Sequence, residues 1–309
     1  MNHSYQWIGR EDGDGEEHFR FFNLVNQHEF AEYAIIGFSS DEGVKRNKGR
    51  IGASLAPDLI RKQLANLPVH QIKNIKDVGN VVCQNEDLEH AQSELATQVD
   101  LTLQAGLKPI VLGGGHEVAY GSFSGLFSYL KKSNNFPKVG IINFDAHFDL
   151  REDIQATSGT PFLQAANLMQ SCGQAFRYLC IGVAKHANTK KLFDTAHDLG
   201  CEYIFDKDVI FENINKLTET LDAFIASIDV LYLTIDLDVF TASIAPGVSA
   251  PAVKGIDLKV FDVMFEHVVK TGKVKLIDVA ECNPNYDQDH LTSKLAAYII
   301  YRYIFEGLV

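Results

Sequence analysis

From about residue 33 to the C-terminus, short apolar runs alternate with helical periodicities. The runs are 33–38 (YAIIGF), 109–112, 139–145, 178–183, 202–205, 231–237 and 274–280, each rich in β-branched residues. Several are apolar on successive residues, as strands covered on both faces should be. Between them, residues 56–67 place Leu59, Ile60, Leu64 and Leu67 on one helical face, with Pro57 in the first turn. Leu88, Ala91, Leu95, Val99 and Leu103 predict a second helix over about 86–105, closed by Gly106. Asp257 opens another, with Leu258, Phe261, Phe265 and Val268 on one face, and residues 292–305 read as a final apolar and aromatic helix. Strands alternating with helices predict an α/β fold: a parallel sheet with helices on both faces. The chemistry of such sheets sits at the carboxyl ends of the strands.

Residues 1–30 are polar, with an acidic tract at 11–17, and read as an extension with some helix near its end. No repeat, low-complexity tract or Pro/Gly/Ser linker divides the chain. One domain over 1–309 is therefore expected, with residues 1–30 packed on it. The 309 residues are 46% hydrophobic and 22% charged, enough for a large core. Forty acidic against 28 basic residues give a net charge of −12, which disfavours nucleic acid as a partner and suits an enzyme or a collector of cations. Five cysteines without a CxxC pair argue against a disulfide framework or zinc ribbon and fit the cytoplasm. The N-terminus has no signal-like apolar region, and no apolar run reaches membrane-spanning length.

Three segments concentrate polar residues at ends of apolar strands. In 143–149 (NFDAHFD), a chain that stayed extended would put Asp145, His147 and Asp149 on one side. In 234–238 (TIDLD), Asp236 and Asp238 share a side in the same way. In 113–117 (GGGHE), His116 falls in a strand-to-helix turn. Taken singly, these are a solvated turn, a helix cap and a tight glycine turn. The glycines form neither a Walker A loop nor a GxGxxG fingerprint, since position 118 is Val. Together, four Asp and two His at one sheet edge would not coexist unneutralised. Two divalent cations would neutralise them, and mixed carboxylate and imidazole donors suit Mn2+ or a similar metal.

These segments and DVAECNP (278–284), in this order, resemble the ureohydrolases: arginases, agmatinases and, most closely, formimidoylglutamases. The resemblance implies a three-layer α/β/α sandwich with a mostly parallel sheet of about eight strands. It also implies two Mn2+ per subunit. His116, Asp145, Asp149 and Asp236 would hold one ion; Asp145, His147, Asp236 and Asp238 the other, with Asp145 and Asp236 bridging. Glu281 matches the carboxylate that pairs with the amidine or guanidine of the substrate, and Asp149 the proton relay. A homo-oligomer is expected, because the family assembles as trimers or hexamers.

The substrate reading rests on three segments and on Arg151. Ser158 stands in 158–162 (SGTPF) where arginases and agmatinases carry His, and formimidoylglutamases share the Ser. Residues 7–12 (WIGRED) and 41–53 (DEGVKRNKGRIGA) also resemble formimidoylglutamase segments. Arg151, two residues after Asp149, suits a bidentate pair with a carboxylate and would repel agmatine. Arg46, Asn47 and Arg50 are weaker candidates for a second carboxylate, and Lys185, His186 and Asn188 for the pocket rim. The expected reaction is hydrolysis of an amidine, N-formimino-L-glutamate, to L-glutamate and formamide. The rivals are a guanidino hydrolase with the same metals and a non-catalytic metal-binding scaffold on the same fold.

Overall fold

Each apolar run becomes a strand of one eight-stranded sheet in the computed structural model, which describes residues 5–306. In chain order the elements are β1 (Tyr33–Ser39), α1 (Glu42–Arg46), α2 (Ala56–Ala65), β2 (Ile75–Val82), α3 (Leu88–Gln104) and β3 (Lys108–Leu112). Next come α4 (Val118–Leu130), β4 (Val139–Phe144), α5 (Pro161–Ser171), β5 (Tyr178–Val183), α6 (Lys190–Asp198) and β6 (Glu202–Phe205). The chain ends with α7 (Ile214–Ala226), β7 (Val230–Asp236), α8 (Leu258–Lys270), β8 (Val274–Ala280) and α9 (Leu291–Phe305). The order across the sheet is β2-β1-β3-β8-β7-β4-β5-β6, and every pairing is parallel. The expectation of a mostly parallel sheet is thus met by a fully parallel one.

Two apolar layers sandwich the sheet. On one face α2, α7, α8 and α9 pack Ile60, Leu64, Leu221, Phe261, Val268, Ile299 and Ile300 against Ile35, Ile110, Ile142 and Leu233. On the other, α3, α4, α5 and α6 pack Leu95, Val99, Phe123, Phe127, Phe162 and Leu192 against Ile36, Val111, Ile141 and Tyr232. Burying each large aliphatic side chain contributes roughly 1.5–3 kcal/mol. Local signals set the helix ends. Asp87 caps α3 by accepting from the His90 N–H at 3.0 Å, and Gly106 leaves the helix at φ +79°. Among the described helices none is long and apolar enough to cross a membrane.

Strand β2 was not among the runs expected from the pattern. Asp77, Gly79 and Asn80 interrupt its apolar sequence, and their polarity has a structural cause. The fully buried Arg61 of α2 donates to Asp77 Oδ2 at 2.8 Å, Asp77 Oδ1 at 2.9 Å and Asn80 Oδ1 at 2.5 Å. A buried guanidinium needs this many acceptors. The extension closes over the same carboxylate. Trp7 Nε1 donates to Asp77 Oδ2 at 2.7 Å, and its ring stacks on Phe21 with centroids 5.5 Å apart. The helix expected near the end of residues 1–30 is only short 3-10 turns, Glu16–His18 and Phe21–Leu24. Trp7→Phe keeps the stack and removes the hydrogen bond to a buried charge, so it is expected to cost about 2 kcal/mol. Urea unfolding followed by circular dichroism measures this; an unchanged midpoint would mean the bond carries no stability.

Candidate metal centre

Four neighbouring strands, β3, β8, β7 and β4, deliver the polar residues to one point above their carboxyl ends. β3 and β4 are successive strands separated by β8 and β7, so the strand order switches here, and crevices open at such switches. After β3, the glycine turn passes against β1 so closely that a Cβ on Gly114 would overlap the Ser40 carbonyl oxygen. That passage aims His116 into the site. Its Nδ1 lies 3.1 Å from Asp145 Oδ2, 3.0 Å from Asp149 Oδ2 and 3.1 Å from Asp236 Oδ2. His147 Nδ1 lies 3.1 Å from Asp238 Oδ2 and 3.4 Å from Asp145 Oδ1.

The route by which these groups meet is not an extended strand. β4 stops at Phe144, and β7 stops at Asp236 with Asp238 in a 3-10 turn over Leu237–Val239. Both segments make the same turn. The His147 N–H donates to Asp145 Oδ1 at 2.6 Å, and the Asp238 N–H to Asp236 Oδ1 at 2.8 Å. Asp149 then takes φ +50°, and Glu281 takes φ +65° after β8. Left-handed backbone at non-glycine residues costs free energy and clusters at functional sites. Asn188, expected at the rim, is instead a buried anchor for the 146–148 turn: it accepts from the Phe148 N–H at 3.0 Å and donates to the Ala146 carbonyl at 2.8 Å. Lys185 and His186 are exposed.

The donors form two overlapping groups, His116 with Asp145, Asp149 and Asp236, and Asp145 with His147 and Asp238. Asp145 belongs to both and offers one oxygen to each. Asp236 offers Oδ2 to the first group, while its Oδ1 is engaged by the Asp238 N–H. Charge balance fits cations here. Burial raises Asp149, Asp236 and Asp238, and neighbouring carboxylates add to it. Burial also raises Asp145, but His116 and His147 override it and hold it low. Although His116 Nδ1 faces three carboxylates, it makes no hydrogen bond, and neither does Asp238 Oδ1. Buried polar atoms without partners are costly, and a lone pair aimed at three carboxylate oxygens is the geometry of a ligand. The residues present therefore fit a pair of divalent cations.

A cavity of about 220 Å³ opens over this cluster. Asn47, Gly49, Arg151, Ser158, Ser249 and Glu281 line its other walls. Glu281 is buried, accepts from the His116 N–H at 2.9 Å through Oε1, and leaves Oε2 without a partner. Burial first and the Glu117 carboxylate second raise it to about 8. Glu117 ties α1 to the site by accepting from the Gly43 N–H at 2.9 Å and from the Ser40 hydroxyl at 3.1 Å. Asn47 Nδ2 donates to Ser158 Oγ at 3.1 Å, which leaves the Ser158 proton free to donate. Arg151 is exposed and, among the described residues, pairs with neither Glu152 nor Asp153. Arg50 does not line the cavity. Its Nε donates to the Ser249 carbonyl at 3.0 Å, and its guanidinium sits 4.2 Å over the Tyr286 ring, so it braces the 248–250 loop. Arg46 is likewise spent on Glu42 and Glu89.

Some supporting residues lie inside the quoted motifs but carried no expected role. Asn143 Nδ2 donates to Asp145 Oδ2 at 3.0 Å, and Thr234 Oγ1 lies 3.0 Å from His116 Nε2. Each precedes a cluster aspartate by two residues, so the period-two pattern extended one step into the strand would have found both.

Residues 31–305 match the arginase family. The chain is 44% identical to the formimidoylglutamase of Aeromonas salmonicida (strain A449), covering 98% of each chain. It is 46% identical to that of Aeromonas hydrophila subsp. hydrophila, covering 96% of each. Among solved structures, Trypanosoma cruzi formiminoglutamase crystallised with Mn2+ superposes with a TM-score of 0.82 at 26% identity, over 93% of this chain and 97% of that one.

Proposed function

The chain belongs to the arginase family, and on that premise we propose that it hydrolyses N-formimino-L-glutamate to L-glutamate and formamide with two Mn2+ ions. The observation that carries this reading is the polarity of the cavity. Glu281, whose Oε2 has no hydrogen-bond partner, lines it beside the cluster, and Arg151, exposed and in no ion pair among the described residues, lines it as well. A substrate with an amidinium at one end and two carboxylates at the other matches that polarity. Agmatine, cationic at both ends, does not.

His116, Asp145, Asp149 and Asp236 would hold one ion, and Asp145, His147 and Asp238 the other, with Asp236 as a further bridge. When bound, the pair supplies water activation near neutral pH and neutralises charge developing on the amidine carbon's oxygen. Glu281 orients the amidinium through Oε2, which fixes the carbon for attack. Asp149 accepts the proton of the attacking water and returns it to the departing glutamate nitrogen. Arg151 clamps one carboxylate of the substrate, and Asn47 and Ser158 donate to the other.

We further propose a single domain with the extension packed on it, assembled as a homo-oligomer in the cytoplasm. Five cysteines that form no disulfide among the described residues support a reducing compartment.

Protein loaded with Mn2+ and offered N-formimino-L-glutamate, agmatine and arginine in parallel tests the reading by NMR. Formamide and glutamate from the first alone, abolished by chelator, support it. Urea from either guanidine overturns it in favour of a guanidino hydrolase. Arg151→Ala is expected to raise KM by roughly 10- to 100-fold, the loss of a charge-assisted pair, with Mn2+ content unchanged. Unchanged kinetics would remove Arg151 from the site.

A further inference from the structure

Next to Thr234, and outside the cavity lining, lies a buried carboxylate with no part in the ligand set. Asp278 of β8 is fully buried and pairs in register with Thr234 of β7. Its Oδ2 accepts from the Tyr232 hydroxyl at 2.5 Å, while its Oδ1 is buried without a hydrogen bond. Ser122 Oγ, close by on α4, is also buried without one.

The proton inventory around His116 is one-directional. If Nδ1 carries a lone pair toward the carboxylate cluster, a neutral imidazole keeps its proton on Nε2. Nε2 lies 3.0 Å from Thr234 Oγ1, so the hydroxyl is the acceptor there. Thr234 must then pass its own proton to another acceptor. Asp278, its cross-strand neighbour, holds the buried carboxylate oxygen that lacks a donor, and the hydroxyls of Thr234 and Ser122 both favour its charged form. A hydroxyl that needs an acceptor thus sits beside a buried carboxylate oxygen that lacks a donor.

We propose that Thr234 and Asp278 are positioning residues for the metal centre: donation from His116 Nε2 through the Thr234 hydroxyl to Asp278 fixes the imidazole tautomer and orientation that present Nδ1 to a cation. This rests on the two-cation reading of the site. Asp278 acts at one remove and touches neither substrate nor ion. A carboxylate behind a ligating histidine raises the basicity of the ligand, and losing such support typically weakens metal affinity by about 10- to 100-fold. Because the relay reaches only His116, the effect is confined to one of the two donor groups.

Mn2+ titration of the full-length protein, with free ion and spin-coupled pairs followed by electron paramagnetic resonance, reads this directly. In Thr234→Val and Asp278→Asn, one ion is expected to bind roughly 10- to 100-fold more weakly while the other keeps its wild-type affinity. The coupled signal then gives way to that of an isolated ion at sub-saturating Mn2+. Thr234→Ser keeps the hydroxyl and is expected to restore both sites. Tyr232→Phe removes a donor to Asp278 outside the relay and should leave both affinities in place. Wild-type affinity at both sites in a folded Thr234→Val overturns the inference, as does equal weakening of both sites or of Thr234→Ser. Wild-type protein that binds no Mn2+ overturns the two-cation reading itself, and this inference with it.

Discussion

Asp145→Asn loses bound Mn2+ and turnover together. Asp145 is the residue whose two oxygens face the two donor groups separately, Oδ2 toward His116 and Oδ1 toward His147. Both oxygens already accept hydrogen bonds, from Asn143 Nδ2 at 3.0 Å and the His147 N–H at 2.6 Å. An amide in either orientation would turn an NH2 toward one of these donors and remove one anionic ligand. The expected loss is at least about 4 kcal/mol of transition-state stabilisation, or roughly 10³-fold in kcat/KM. Metal analysis beside steady-state kinetics measures both quantities. Normal turnover at full metal loading would show that Asp145 does not bridge.

Glu281→Gln leaves the metals in place and disables substrate. Both residues tolerate the backbone φ of +65° equally, so the change is confined to charge. The retained amide oxygen can still accept from the His116 N–H, but the carboxylate that would become the counter-charge of a bound amidinium is gone. Losing one partner of a buried charge pair costs about 2–5 kcal/mol, which corresponds to a fall of roughly 30- to 5,000-fold in kcat/KM. The same variant changes a pH profile whose sign follows from burial. Glu281 is raised to about 8 from its usual 4.5, first by burial and then by Glu117. In chelated protein the folded state holds this proton more tightly than the unfolded chain does. The resulting stability is fully present below about pH 4.5 and is lost as pH rises through about 8. The Tm of chelated wild-type protein should therefore fall over that window, and that of Glu281→Gln should fall less. Parallel profiles would mean the carboxyl is not buried as described.

The site was legible as chemistry before it was legible as geometry. Asp145, His147 and Asp149 stood out because polar residues end an apolar strand, and Asp236 and Asp238 repeated the pattern. Why they converge could not be read there. The order β3-β8-β7-β4 decides it, and strand neighbours depend on how helices cross the sheet rather than on any strand's own sequence. The extended spacing invoked for Asp149 gave way to a left-handed turn. β2 escaped notice because Asp77 and Asn80 are polar for the sake of Arg61, a partner 16 to 19 positions earlier. Arg50 and Arg151 are alike as residue types and differ in circumstance. One is consumed by backbone carbonyls and the Tyr286 ring, the other stands free on the cavity wall, and only packing distinguishes them.

The clamp of the extension on Asp77 has an optical corollary. Trp7 is the only tryptophan in the chain, and it sits beside the β2 edge strand rather than among the four strands that build the cavity. Emission excited selectively at the indole is therefore a gauge of one latch. It would register the N-terminal segment peeling from the sheet edge and stay silent while ions or substrate come and go at the far strand ends. A melt watched by fluorescence and one watched by far-ultraviolet dichroism would be timing two different doors.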